Sequence, residues 1–588
     1  MLASATSKVA FAGLLALFLG LLLNTACSAP RSLGQEFGPI VAVTGGHVQG
    51  RLLPARNGAV FKGIPYAAPP VGALRWRQPQ PVRRWSGVLQ TIEYRPDCPR
   101  VPREIAWSAS GAGSFSPRRL TPLGPAEPES APTSEDCLYL NIWTPQWPAV
   151  EKKPVIFWIH GSELAGGTAR LRSGPDDQAE SSLARRGVVV VSVSYRGGLL
   201  GMMGHPELTA EDVHHSSGNY LLFDQIAGLK WVHDNIARFG GDPGSVTVFG
   251  QSGGGRSAAM LVTSPLARGL VQRAIIDSGG PTEMVKPFTS LREMEQIGTL
   301  VARALNAPAS GAIAYLRSLP SDQIVATLAS VRSKLDAMYY RALDEGIDGY
   351  AIPVSPAQAF RDHKEAHIPI IIGNTALDST TLNAAEPLPR EAVQDQAQAW
   401  GRNVLQVFYA NYPDLMEKAL RAYGFDGAPH DVVSYPPYGS FQQLLGIDLN
   451  HRCGTIVASS WHSAVAPTYQ YEFSYATPAH PATHESDLRF LFGYFSKDEL
   501  ADDRAHKLAD QMQSYWVNFA RTGDPNGPGL PVWPKYDVTG RHSIEFTNDG
   551  PVQRTAIRAM ACAPYIEKAD REPDLLATGA HQQLRPGG

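Results

Sequence analysis

Ser252 stands at the centre of Gly250-Gln251-Ser252-Gly253-Gly254, with Val246, Thr247, Val248 and Phe249 before it and Arg256, Ala258 and Ala259 after it. That order reads as strand, tight turn, helix. On such a G-x-S-x-G elbow the serine occupies a strained turn, and its hydroxyl stands exposed at a helix N-terminus. The chemistry this permits is nucleophilic attack on an acyl carbon. It needs a histidine to take the hydroxyl proton and a carboxylate to orient and stabilise the imidazolium. Two later stretches supply such groups. Gly373-Asn374-Thr375-Ala376-Leu377-Asp378 follows the apolar run 368–372, and a Pro/Ala loop carrying His480 and His484 follows the run 468–475. Any one of the sixteen histidines is more often structural than catalytic, and an aspartate after a strand commonly caps a turn. Three groups of suitable type in the order nucleophile, acid, histidine make a stronger case than any one alone.

These residues need elements to hold them. Short apolar runs at 138–143, 155–160, 188–195, 246–249, 274–277, 368–372 and 468–475 read as strands. Several are apolar throughout, as strands buried on both faces of a parallel sheet must be. Ile226, Leu229, Val232, Ile236 and Phe239 recur every three or four residues and mark one face of a helix that Gly240-Gly241 stops. Strands alternating with helices predict an α/β fold. The order of the three reactive groups narrows it to an α/β-hydrolase with a large, mostly parallel central sheet flanked by helices. In such sheets the site forms at the carboxyl ends of strands, where all three groups lie. The stretch 51–87 carries too much proline for a regular helix, yet Phe61, Ile64, Tyr66, Leu74 and Trp76 imply that it packs down. The polar stretch Pro99 to Thr133 reads as a surface loop that would serve as a lid over a cleft.

The 588 residues show no repeat and no long linker. An apolar share of 43% suits a large core, and 18% charged residues at net −3 give no electrostatic reason to expect nucleic acid. A neutral small molecule in an apolar cleft fits better. Lys8, the apolar run Val9 to Leu23 and Asn24-Thr25-Ala26-Cys27 read as an export signal, since the run suits a signal core and is short for a membrane span. The small residue before Cys27 resembles a lipoprotein cleavage box, with Asn24 where that pattern usually has Leu. Lipidation of Cys27, which would tether the protein to a membrane, simple cleavage nearby and a retained anchor helix all stay open. The expected layout is a signal over 1–27, one catalytic domain over 28–568 and a disordered tail over 569–588. Cys98, Cys137, Cys453 and Cys562 are an even set for an oxidising compartment, with three pairings open. No C-x-x-C or HExxH occurs, so neither a metal nor a cofactor is expected. Nothing in the chain speaks to oligomeric state.

Six blocks carry a closer likeness: FKGIPYAAPPVGALRW (61–76), EDCLYLNIWTP (135–145), FGGDP (239–243), VTVFGQSGGG (246–255), HESDLRFLFG (484–493) and YWVNFARTGDPN (515–526). Together they resemble the type B carboxylesterases, the carboxylesterase/cholinesterase family that includes bacterial p-nitrobenzyl esterases. The resemblance implies that Ser252 is the nucleophile and Asp378 the acid, where the family usually has Glu. It makes His484 the base, because the spacing to Phe492-Gly493 selects it over His480. It also implies a Cys98–Cys137 disulfide closing a small loop, with Cys453 and Cys562 as the remaining pair. Backbone N–H groups of Ser162, Glu163 and Gly253 would form the oxyanion hole. The family's loop reads His-Gly-Gly-Gly or His-Gly-Gly-Ala, whereas this one reads His160-Gly161-Ser162-Glu163-Leu164-Ala165-Gly166-Gly167. A glutamate beside developing negative charge would cost transition-state stabilisation, and one lost oxyanion donor is worth on the order of 3–4 kcal/mol. Cholinesterases carry Glu where this chain has Gln251. Glu163 therefore either restores a carboxylate near the serine, protonated or acting on water during deacylation, or turns outward on a loop that Gly166-Gly167 give room.

The expected activity is serine-dependent hydrolysis of small carboxylic esters through an acyl-enzyme, without a cofactor, by a protein exported to the periplasm, the cell envelope or the medium. Cleavage of amides, thioesters or carbamates is an alternative, as is a catalytically impaired binding protein on the same fold. Silent family members typically break the triad and this chain keeps it, which favours the enzyme. Trp400, Phe408, Tyr435, Tyr438 and Phe441 would line a gorge or fill a core.

Overall fold

The structure is a computed structural model and describes residues 37–53, 58–100, 132–161, 168–170, 182–282, 288–327, 345–378, 399, 401–425, 441–477, 480–495 and 497–571. In chain order the strands are β1 Phe37–Val43, β2 Gly46–Leu53, β3 Gly58–Pro65, β4 Val88–Gln90, β5 Tyr139–Thr144, β6 Lys153–Ile159, β7 Val189–Val193, β8 Gly241–Gln251, β9 Arg273–Asp277, β10 Thr289–Ser290, β11 Gly346–Ile347, β12 Ile370–Thr375, β13 Thr468–Phe473, β14 His542–Thr547 and β15 Gly550–Thr555. The main sheet runs β1-β2-β3-β5-β7-β6-β8-β9-β12-β13-β14-β15, with β4 beside β2. Every neighbouring pair from β7 to β14 is parallel. The β1-β2-β3-β5-β7 wing and the β14-β15 edge are antiparallel.

The apolar runs are strands because both of their faces are covered. Along β6, Val155, Phe157 and Ile159 join one buried cluster while Ile156 and Trp158 join the other. This period-two division explains why the central strands lack polar alternation. The first cluster receives α1 (Tyr220–Asn235), α2 (Gly253–Thr263), α3 (Cys453–His462) and α5 (Ala559–Arg571), and the second receives α4 (Asp503–Thr522). The periodic face read at 226–239 lies on α1 and a following 3₁₀ turn, and Gly240 ends it in the left-handed region at φ 81°. The wing β1 to β3 is absent from the sequence reading. β1 does carry the apolar run Ile40-Val41-Ala42-Val43 and was within reach of the same reading, whereas glycine, proline and charge interrupt β2 and β3, which show neither a continuous apolar run nor a clean alternation.

Two disulfides are present, Cys98–Cys137 and Cys453–Cys562, with Cα–Cα distances of 5.0 and 5.2 Å. The first closes the expected loop at its base, where Asp97 and Thr133 form a bridge and the Asp97 N–H donates to Pro132 O at 3.0 Å. The body of that loop, 101–131, lies outside the described residues. Helix α5 runs to Arg571 with Ala569 buried, so ordered chain enters the stretch expected as tail, whereas 572–588 and the signal with Cys27 lie outside the described residues. Among the described residues no helix is long and apolar enough to cross a membrane.

Candidate active site

Strand β8 ends at Gln251 and α2 begins at Gly253, so Ser252 alone makes the turn, at φ 58° and ψ −124°. A non-glycine residue held there stores strain that the surroundings must enforce. The Ser252 N–H donates to Asp277 O at 2.9 Å, and its carbonyl accepts the Arg256 N–H at 3.0 Å. A Cβ on Gly250 would meet Gly254 O at 1.9 Å, and one on Gly254 would meet Ile159 O at 2.0 Å, so both flanking glycines are required by close backbone approach.

Asp378 follows β12 and His484 follows β13, the adjacent parallel strand. An isolated parallel bridge joins Leu377 to Thr483, the residues directly before them, and the Leu377 N–H donates to Ala482 O at 2.9 Å. This bridge carries the pairing of the sheet into its loops and sets acid and histidine side by side. The His484 Nδ1–H donates to Asp378 Oδ1 at 2.5 Å, while the Thr375 N–H donates to Asp378 Oδ2 at 3.0 Å. His484 Nε2 is thereby left as the acceptor nitrogen, and Gln251 Nε2, on the residue before Ser252, lies 3.3 Å from it. His480 closes a turn with Thr477 instead.

Burial of Asp378 would raise its proton affinity, but the neighbouring charges of His451 and His484, with hydrogen bonds from His484 and Ser278, outweigh it and hold the carboxyl well below the usual range. Two further carboxyls, which the sequence reading missed, lie buried nearby. Burial together with the charges of Asp487 and Asp378 pushes Asp277 well up, and burial with the charge of Asp378 pushes Asp487 up to about 6. The Ser278 hydroxyl donates to Asp277 Oδ1 at 2.8 Å and the Tyr471 hydroxyl to Asp487 Oδ2 at 3.1 Å. Negative charge is thus concentrated on the one carboxylate that faces His484.

The loop expected to supply the oxyanion hole begins at Gly161, whose Cβ position lies 2.9 Å from Gln251 O and 3.0 Å from Ser252 Cβ. Tyr195 anchors that start: its hydroxyl donates to His160 O at 2.5 Å and its ring stacks on His160 at 4.3 Å. Gly253 is the first residue of α2, while Ser162 and Glu163 lie outside the described residues. Of the candidate gorge aromatics, Phe408 is buried against Tyr409 and Tyr565 in the core, and Trp400, Tyr435, Tyr438 and the Phe441 side chain lie outside the described residues. Asp277 was within reach as the last residue of the run 274–277, at the carboxyl end of a strand, whereas nothing in the sequence pattern marked a role for Tyr471 or His451. Asp487 was within reach, three residues after His484 in a block already singled out.

The profile of the "Carboxylesterase family" matches residues 38–563. Carboxylesterase 1D of Rattus norvegicus is 33% identical over 525 residues, spanning 85% of this chain and 88% of that protein. The "Fatty acyl-CoA hydrolase precursor, medium chain" of Anas platyrhynchos is 32% identical over 563 residues, spanning 90% and 93%. Among solved structures, a PNB esterase aligns at a TM-score of 0.68 and 27% identity, over 89% of this chain and 99% of that one.

Proposed function

This chain belongs to the carboxylesterase family and is a carboxylic-ester hydrolase, and on that premise we propose that Ser252, His484 and Asp378 are its catalytic triad. Ser252 Oγ attacks the acyl carbon while its proton passes to His484 Nε2. The imidazolium returns that proton to the leaving alkoxide, giving the alcohol and an acyl-enzyme. His484 then takes a proton from water, whose oxygen attacks the acyl carbon, and returns it to Ser252 as the acid departs. Asp378 keeps the imidazole in the required tautomer. The 2.5 Å His484–Asp378 hydrogen bond, which leaves Nε2 over the elbow, carries this reading.

Backbone N–H groups of Gly253, Ser162 and Glu163 complete the proposal as donors to the oxyanion. A loss of turnover in Glu163→Gly that is confined to deacylation supports a working carboxylate there, and a large gain in acetyl-ester turnover rules it out. The main test is hydrolysis of p-nitrophenyl acetate, butyrate and octanoate. Ser252→Ala should lower kcat by about 10⁴-fold or more on each, and a variant retaining activity within tenfold defeats the assignment.

Thioesters enter as a second substrate class because the relative from Anas platyrhynchos is called an acyl-CoA hydrolase. Acyl-CoA turnover that Ser252→Ala abolishes would establish it. The name of that relative also calls it a precursor, and the two disulfides suit an oxidising compartment. Export with cleavage either just before Cys27, leaving it for lipidation, or nearby, and with the mature domain extending through helix α5 to Arg571, is the matching proposal. Mass spectrometry of the mature N-terminus distinguishes a lipidated Cys27 from simple cleavage, and an intact leader would sink both.

A further inference from the structure

His451 is a titratable side chain beside the proposed triad that the reaction scheme leaves unused. It lies in the π-helical turn Asp448–Arg452, between the helix Phe441–Ile447 and α3. A π turn widens the helix by one residue and re-aims the side chains it carries, and such turns are frequent at functional sites. Here it directs two neighbours at one loop. Arg452 Nη2 donates to Ala376 O at 2.9 Å and Nε to Glu472 Oε2 at 2.6 Å, tying the turn to the chain just before Asp378 and to β13. His451 Nε2 lies 4.0 Å from Asp378 Oδ1, the same oxygen that accepts the His484 Nδ1–H. The two imidazole centroids are 6.1 Å apart, and the His451 side chain is 17% exposed, enough to exchange protons with water.

We propose that His451 is a positioning residue for the triad acid: a second protonatable imidazole set against the carboxylate oxygen that His484 uses. The inference rests on the reading of Asp378 and His484 as acid and base. Among the described residues, the neighbouring charged groups have partners of their own. On its own turn, Asp448 accepts from Arg452, Arg558 and Tyr423. Arg452 also pairs with Glu472 of β13. Asp277 at the end of β9 accepts from Ser278, and Asp487 beyond His484 accepts from Tyr471. Asp378, with Oδ1 4.0 Å from His451 Nε2, is a carboxylate whose charge His451 meets. A proton on His451 draws on that charge and repels a second proton on His484, so His484 stays a free base to lower pH than it would alone. The two rings and the carboxylate take up protons as one unit.

The experiment is the pH profile of kcat/KM for p-nitrophenyl acetate in wild type, His451→Phe and His451→Asn, with Ser252→Ala as the control. In both His451 variants the acid limb should move up by about half to one pH unit, the scale set by two unit charges about 6 Å apart in a partly hydrated site. The alkaline plateau should change less than about threefold and KM should hold. Superimposable profiles in an enzyme that Ser252→Ala inactivates overturn the inference while leaving the triad reading intact. A loss of plateau activity with an unmoved limb assigns His451 to packing and likewise overturns it. Hydrolysis surviving Ser252→Ala removes the triad reading, and this inference with it. Should neither variant fold, ¹⁵N-histidine NMR of wild type and Asp378→Asn decides. The His451 midpoint should fall when the carboxylate is removed, and an unchanged midpoint defeats the proposal.

Discussion

Gln251 occupies the position from which a side chain reaches His484 Nε2, the nitrogen proposed to carry the proton. As a neutral amide it can donate to the free base but adds no charge that would favour the imidazolium. Gln251→Glu should reverse that balance, because an opposite charge within hydrogen-bond range raises the proton affinity of an imidazole. The acid limb of the kcat/KM profile should move up by about one unit, with the rate at alkaline pH retained within about threefold. A limb that stays in place would mean that the amide turns away from His484 in solution. The side chains of this site differ in how far they could be read beforehand. Ser252 lies in a pattern with local geometry, and His484 has a fixed spacing to Phe492-Gly493. Asp277 ends a run read as a strand, the place where site residues are expected, whereas Tyr471 and His451 reach the site by folding alone, and no local periodicity marks their role.

At the scale of elements, the acid and the histidine are adjacent because β12 and β13 are adjacent and their pairing resumes at Leu377 and Thr483. The same convergence buries three carboxyls, Asp277, Asp378 and Asp487, at the ends of neighbouring strands and loops. Their effects on stability have opposite signs. The depressed Asp378 stabilises the fold above the usual carboxylate pKa, and that contribution is lost as the pH falls below about 4. Asp487, raised from 3.8 to about 6, contributes fully below 3.8 and loses that contribution as the pH rises through about 6. Asp487→Asn stays neutral throughout and still accepts from Tyr471. Its melting temperature, measured from pH 4 to 8, should therefore rise relative to wild type as the pH increases, with most of the change between pH 4 and 7. Parallel curves would mean that Asp487 titrates at the same pH in the folded and unfolded chain.

For the molecule as a whole, the central strands were legible in sequence because helices cover both faces of the sheet and no polar alternation interrupts the apolar runs. In the wing, β1 offers the same kind of signal in Ile40-Val41-Ala42-Val43, but β2 and β3 do not, because glycine, proline and charge break up their apolar runs. That wing joins the rest through β3 against β5, and the chain between those two strands passes through the Cys98–Cys137 closure. A trypsin cut after Arg103, Arg118 or Arg119 would sever the chain between the cysteines, yet β3 would stay paired with β5 and the halves would stay covalently joined. Nicked protein should then migrate as a single band on a non-reducing gel, split into two under reductant, and retain its hydrolytic rate until the disulfide is reduced. In this respect the enzyme is built as a two-chain molecule that happens to be synthesised as one.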